Sequence, residues 1–178
     1  MAYFDNAATT HPKPECVYQA IDTFNRQHGG SAGRGAYAEA MSAGQLLQKT
    51  RHALRDLFHA PDKEVIFTPT ATLALNMIIQ GMIRSGCRHI YISPFEHNAV
   101  TRVLYALSKE YPLQISKLIV NRDLHYDLER IRYQFEEQRP DLVIVSHASN
   151  VIGLIAPLMD IFKLAKFYGA YTVADMSQ

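Results

Sequence analysis

Asp175 and Gln178 stand as a carboxylate and an amide just beyond the apolar run Gly169-Ala-Tyr-Thr-Val-Ala174. That run reads as a short buried strand delivering both groups at its carboxyl end. A buried carboxylate is costly unless a cation or a strong donor meets it. No basic residue lies close by in sequence, so the partner is either a distant arginine or a protonated ring nitrogen on a bound cofactor. His97, in Pro94-Phe-Glu-His-Asn98, could move protons or stack on a flat aromatic ligand. It could equally cap a helix beginning near Asn98. Asn150, after His147-Ala-Ser, is either a polar anchor for a ligand or a turn asparagine. Thr68-Pro-Thr-Ala-Thr72 places hydroxyls and small residues at a helix start. Free N–H groups and the helix dipole there suit an anion such as phosphate, and a threonine there also suits plain N-capping. No Walker-type glycine loop is present.

These groups gain weight from the elements that must position them. Apolar runs read as strands over Glu64–Thr68, His89–Ser93, Leu113–Val120, Asp141–Val145 and the terminal stretch. Helical spacing lies between them over Ala71–Ile83, Ala99–Lys109, Leu128–Gln138 and Pro157–Tyr168. Pro140 stops the third of these helices, and Pro157 opens the fourth at a first-turn position. Strand–helix alternation predicts an α/β fold, a mostly parallel sheet with helices on both faces. The four candidate segments each follow a strand, so a parallel sheet gathers them on one edge, where such sheets bind ligands. Upstream, Pro14–His28 and Ala38–His59 read as two helices joined by the glycine-rich Gly29–Gly35. We therefore divide the chain into an N-terminal helical arm, 1–60, and part of a large domain, 61–178.

Composition narrows the function classes. With 178 residues, 48% apolar and 20% charged, the chain has enough material for one real core. A net charge of +1 offers no electrostatic case for nucleic acid or an anionic membrane. No apolar run reaches the length of a membrane span, and the first residues lack signal-peptide character. Cys16 and Cys87, without metal-type spacing, read as two small buried hydrophobes in a reducing, cytoplasmic setting.

In order along the chain, the motifs resemble those of the class V aminotransferase family of fold-type I pyridoxal-phosphate enzymes, most closely the cysteine desulfurases. Tyr3-Phe-Asp-Asn-Ala-Ala-Thr-Thr10 is similar to the family's N-terminal signature, and Gly33-Arg34-Gly35 to its glycine-rich loop. The Ala71-Thr72 pair, Glu96-His97-Asn98-Ala99, Ser149-Asn150-Val151-Ile152-Gly153 and Asp175-x-x-Gln178 follow in the family's order. The resemblance implies a three-layer large domain that binds pyridoxal 5'-phosphate. Ala71 and Thr72 would hold its phosphate, and His97 would stack on its ring and help move protons. Asp175 would pair with the ring nitrogen, while Asn150 and Gln178 would hydrogen-bond near the phenolic oxygen and the substrate. It also implies conversion of L-cysteine to L-alanine with sulfur left on the enzyme, a homodimer, and a sulfur-acceptor protein as partner.

The departures set further expectations. None of the seven lysines sits in the Ser-x-His-Lys segment that carries the family's Schiff-base lysine. The domain with the nucleophilic cysteine and the carboxylate-binding arginine is not matched either. The chain alone is expected to be inactive, to hold the cofactor weakly and to associate, through an exposed terminal-strand edge or an exposed helix-packing face. Tyr37 stands where relatives often have histidine, and Thr70 where glycine is common. Selenocysteine lyase, a class V aminotransferase or epimerase, and a degenerate dimerisation module stay open as alternatives.

Overall fold

The computed structural model describes residues 2–27 and 29–178 and divides them into two compact units, up to Phe67 and from Thr68 to Gln178. The first unit holds α1 (Glu15–Gln27) and α2 (Ala38–Leu57). They match the two helices expected there, except that His28 lies outside the described residues. No residue of α1 is buried, and Cys16 on it is exposed rather than a buried hydrophobe. Glu64–Thr68 forms no strand. A strand is stable only when a neighbour satisfies its backbone, and no described strand pairs with this segment. The Val65 carbonyl accepts instead from Arg51 Nε, at 3.1 Å, and Ile66 is 78% exposed.

The second unit runs α3 (Ala71–Arg84), β1 (His89–Ile92), α4 (Asn98–Leu107), β2 (Gln114–Lys117), α5 (Leu128–Glu137), β3 (Leu142–Ser146), α6 (Leu158–Phe167) and β4 (Tyr171–Asp175). Its four strands pair in parallel in the order β2-β1-β3-β4. Alternation along the central strands feeds two cores. Ile90, Ile92, Leu142 and Ile144 pack with Leu75, Ile79 and Ile83 of α3 and Val100 and Leu104 of α4. Tyr91, Val143 and Val145 pack with Ile131 and Phe135 of α5 and Ile161 and Ala165 of α6. The expected architecture, helices on both faces of a parallel sheet, is the one found. All five residues of β3 are buried, as a strand covered on both sides requires.

Two features of this sheet matter for chemistry. The strand order reverses between β1 and β3, because the chain leaves β1 outward to β2 and then returns past it. Such a switch point leaves a crevice at the strands' carboxyl ends. The terminal strand, read as buried from its apolar run yet also expected to stand as an open edge, is an edge strand whose Tyr171 is 64% exposed, and only Asp175 at its end is buried.

Candidate active site

Four loops meet at that crevice, and each is shaped by local chemistry. Thr70 is the N-cap of α3, its Oγ accepting from the Leu73 N–H at 3.1 Å. The Ala74 N–H is taken by the Thr70 carbonyl, while those of Ala71 and Thr72 donate to no described group. Capping, set against anion binding from sequence, thus uses the Leu73 N–H and leaves other N–H groups of the same turn without a described acceptor. Replacing Thr70 with alanine should cost about 1 kcal/mol, read as a lower denaturant midpoint with unchanged slope.

His97 shows the same duality. It is the N-cap of α4, its Nδ1 accepting from the Ala99 N–H at 3.1 Å. A backbone N–H can donate only to an unprotonated nitrogen, so the neutral ring carries its proton on Nε2. Asn150 lies in a turn held by Ser149, whose Oγ accepts from Val151 and Ile152. Gly153 closes that turn at φ +67°, a left-handed position that an L side chain adopts only under strain. The Ser-Asn-Val-Ile-Gly spacing is therefore turn geometry that sets Asn150 at the rim.

Asp175 is 8% exposed. Its Oδ1 accepts from both the backbone N–H and the hydroxyl of Ser177, and it enters no ion pair among the described residues. The distant arginine considered from sequence is thus not its partner. Ala71, Thr72, His97, Asn150, Asp175 and Gln178, the six candidates, all line one cavity of about 190 Å³. No lysine lines it. It shares Thr72, His97 and Ala99 with a wider groove of about 570 Å³ between α3 and α4, where Arg84 and Arg102 lie. Among the described residues no cluster of histidine, cysteine or carboxylate could hold a metal ion, and no helix is long and apolar enough to cross a membrane.

One group was not among the candidates. Glu96, next to His97, reaches across the switch point to the last residue of β3. Its Oε1 accepts from the Ser146 N–H at 2.6 Å and its Oε2 from the Ser146 hydroxyl at 2.9 Å. Burial pushes its carboxyl up to about 7, against the pull of those bonds, and the Asp175 charge adds to the rise. Tyr126 hydrogen-bonds Ser93 at 2.7 Å behind it, and burial raises its hydroxyl too. The only local signal for Glu96 was an acidic residue wedged between a strand and a candidate histidine, and its partner lies 50 residues away.

The sequence profile of the class V aminotransferases ("Aminotransferase class-V") matches residues 2–178. A probable cysteine desulfurase of Xylella fastidiosa (strain 9a5c) is 33% identical over 183 residues, covering all of this chain and 43% of that protein. Cysteine desulfurase IscS of Dictyoglomus turgidum is 30% identical and is covered over 44% of its length. The apo structure of cysteine desulfurase from Thermococcus onnurineus NA1 superimposes with a TM-score of 0.88 at 26% identity, over 98% of this chain and 43% of that one. The chain thus spans less than half the length of the relatives it matches. With a profile match across its described length and a parallel sheet whose switch point gathers the motif residues, the chain belongs to the class V aminotransferase family.

Proposed function

We propose that this chain carries the cofactor-holding part of a pyridoxal-phosphate-dependent cysteine desulfurase. The observation that carries the proposal is the cavity at the switch point, lined by all six motif residues and containing a buried carboxylate without a cation. Its donors and acceptors fit the cofactor. At one end the free N–H groups of Ala71 and Thr72, with the α3 dipole, suit a phosphate. At the other, Asp175 suits a protonated ring nitrogen, whose positive charge would offset the cost of burying the carboxylate. When bound, pyridoxal phosphate supplies an electron sink for bonds to the substrate's α-carbon.

The chain's own residues would bind, orient and move a proton. Asp175 holds the ring nitrogen protonated, and Ser177 keeps its Oδ1 aimed. Asn150 and Gln178 are amides placed to hydrogen-bond the ring's phenolic oxygen and the substrate. His97 lies against the same cavity with Nδ1 engaged, so Nε2–H is the donor it presents there, and the ring takes up a proton only at Nδ1, when the cap to Ala99 opens. Cysteine as substrate follows the names of the relatives, and selenocysteine stays the nearest alternative. A homodimer and a sulfur-acceptor protein complete the proposal for the whole enzyme.

Because no lysine reaches the cavity, the chain should bind the cofactor without a covalent link and should not turn over cysteine. Titration with pyridoxal phosphate should perturb its absorbance saturably, dialysis should remove the cofactor, and cysteine should yield neither alanine nor sulfide. Failure to bind at millimolar cofactor would overturn the assignment of the site. A long-wavelength band that survives dialysis would overturn its non-covalent character.

A further inference from the structure

We propose that Glu96 is a positioning residue that acts through His97, by bolting the β1–α4 loop to the end of β3 across the switch point. The inference rests on the cofactor site proposed above. The crevice that makes a switch point useful also makes it mechanically weak. The loop after β1 turns toward α4, on the α3 side of the sheet, while the chain after β3 turns toward α6, on the other side. The sheet's own hydrogen bonds end there, with the Ser93 N–H donating to Ile144 O.

Glu96 is the side chain that crosses the gap. Both carboxylate oxygens are used, and both of its partners belong to one residue, Ser146. Ser146 is itself 6% exposed and stands in register with Asp175 on β4. One side chain therefore ties together the segment that presents His97 and the strand pair that presents Asp175. His97 follows Glu96 directly, so the clamp fixes the backbone from which the imidazole reaches Ala99 N. Without it the ring would be held by that single cap alone.

The groups facing Glu96 are Ser146 on β3, Asp175 on β4, and Ser93 with Tyr126 behind it. None is cationic, so the clamp is built of hydrogen bonds rather than an ion pair. A glutamine can reproduce it, its carbonyl accepting from the Ser146 N–H and its amide donating to the Ser146 hydroxyl oxygen.

The first arm of the test needs no cofactor. Amide hydrogen exchange of the chain is compared with that of Glu96→Ala, Glu96→Gln and Ser146→Ala. In Glu96→Ala the Ala99 amide should exchange about tenfold faster or more while the β3 amides Val143 and Ile144 hold, and Glu96→Gln should restore protection. Ser146→Ala, which leaves Glu96 in place, should fall between and decides the matter if Glu96→Ala does not fold. The second arm measures pyridoxal phosphate affinity. Glu96→Ala should weaken it about tenfold in the chain but have little effect in a His97→Ala background, because coupled residues are non-additive. Unchanged Ala99 protection in a folded Glu96→Ala chain would overturn the inference. So would an equal loss of affinity with and without His97. Absence of any cofactor binding would overturn the site assignment and leave the exchange arm to judge the clamp.

Discussion

Replacing Glu96 with glutamine should make the chain more stable at pH 8 by about 3 kcal/mol, and leave it nearly unchanged at pH 4.5. The carboxyl rises from its ordinary 4.5 to about 7 in the folded chain, chiefly because it is buried. At about 1.4 kcal/mol per unit, that rise sets the size of the effect. The sign follows from proton binding. Between the two values the folded chain keeps a proton that the unfolded chain has released, so stability falls as pH rises through that window. The contribution is fully present below 4.5 and is lost once pH passes 7. Glutamine mimics the protonated form at every pH and so removes the slope. A protein of this length should gain roughly 6–12 °C in unfolding midpoint at pH 8. Thermal melts of both proteins from pH 4.5 to 8 would show it. A gap between them that does not change with pH would contradict the assignment of the cost to Glu96. A carboxylate kept at that cost beside a candidate histidine fits a site tuned for function rather than stability.

Asp175→Asn should lower pyridoxal phosphate affinity about a hundredfold while leaving the apo fold intact. Asparagine is the same shape, and its Oδ1 can still accept from the Ser177 N–H and hydroxyl. What it lacks is charge. Removing one partner of a desolvated charge pair costs roughly 2–5 kcal/mol, and a hundredfold lies within that range. Melting temperature and affinity are measured on the same preparation. Affinity within threefold of the parent, in a chain that melts normally, would mean that the cofactor's ring nitrogen does not meet Asp175.

How much of this was legible beforehand differs by residue. The helices and all four sheet strands follow from periodicity and apolar runs, because packing on a helix stripe or a sheet face leaves a local pattern. Glu64–Thr68 has the same apolar pattern yet forms no strand, since a strand's existence depends on a partner that its own residues do not encode. β4 reads as buried because its run is apolar, but burial of a strand is decided by what lies beside it, and β4 is an edge. His97, Asn150 and Thr70 were each divided between a structural and a chemical role. The structure places each of them in a cap or a turn beside the cavity, since small polar residues that end an element are also the ones a ligand can reach. Glu96 was out of reach. Its meaning lies in Ser146, and no spacing rule links two residues on opposite sides of a reversal in strand order.

The return of the chain from β2 past β1 to β3 also sets a timetable for folding. β1 is synthesised before β2, but its inner neighbour β3 arrives only after β2, α5 and the turns between them are complete. Until then the Ile90 and Ile92 side of β1 can be covered by α3 and α4, while its β3-facing edge stays open. The clamp across 50 residues and the β3–β4 pairing that sets Asp175 are long loop closures. Contacts so distant in sequence carry the largest entropic delay. The cavity should therefore be among the last parts of the molecule to acquire its shape. In pulse-labelled refolding the amides of α3 and α4 should gain protection before those of Ser146 and Ser177.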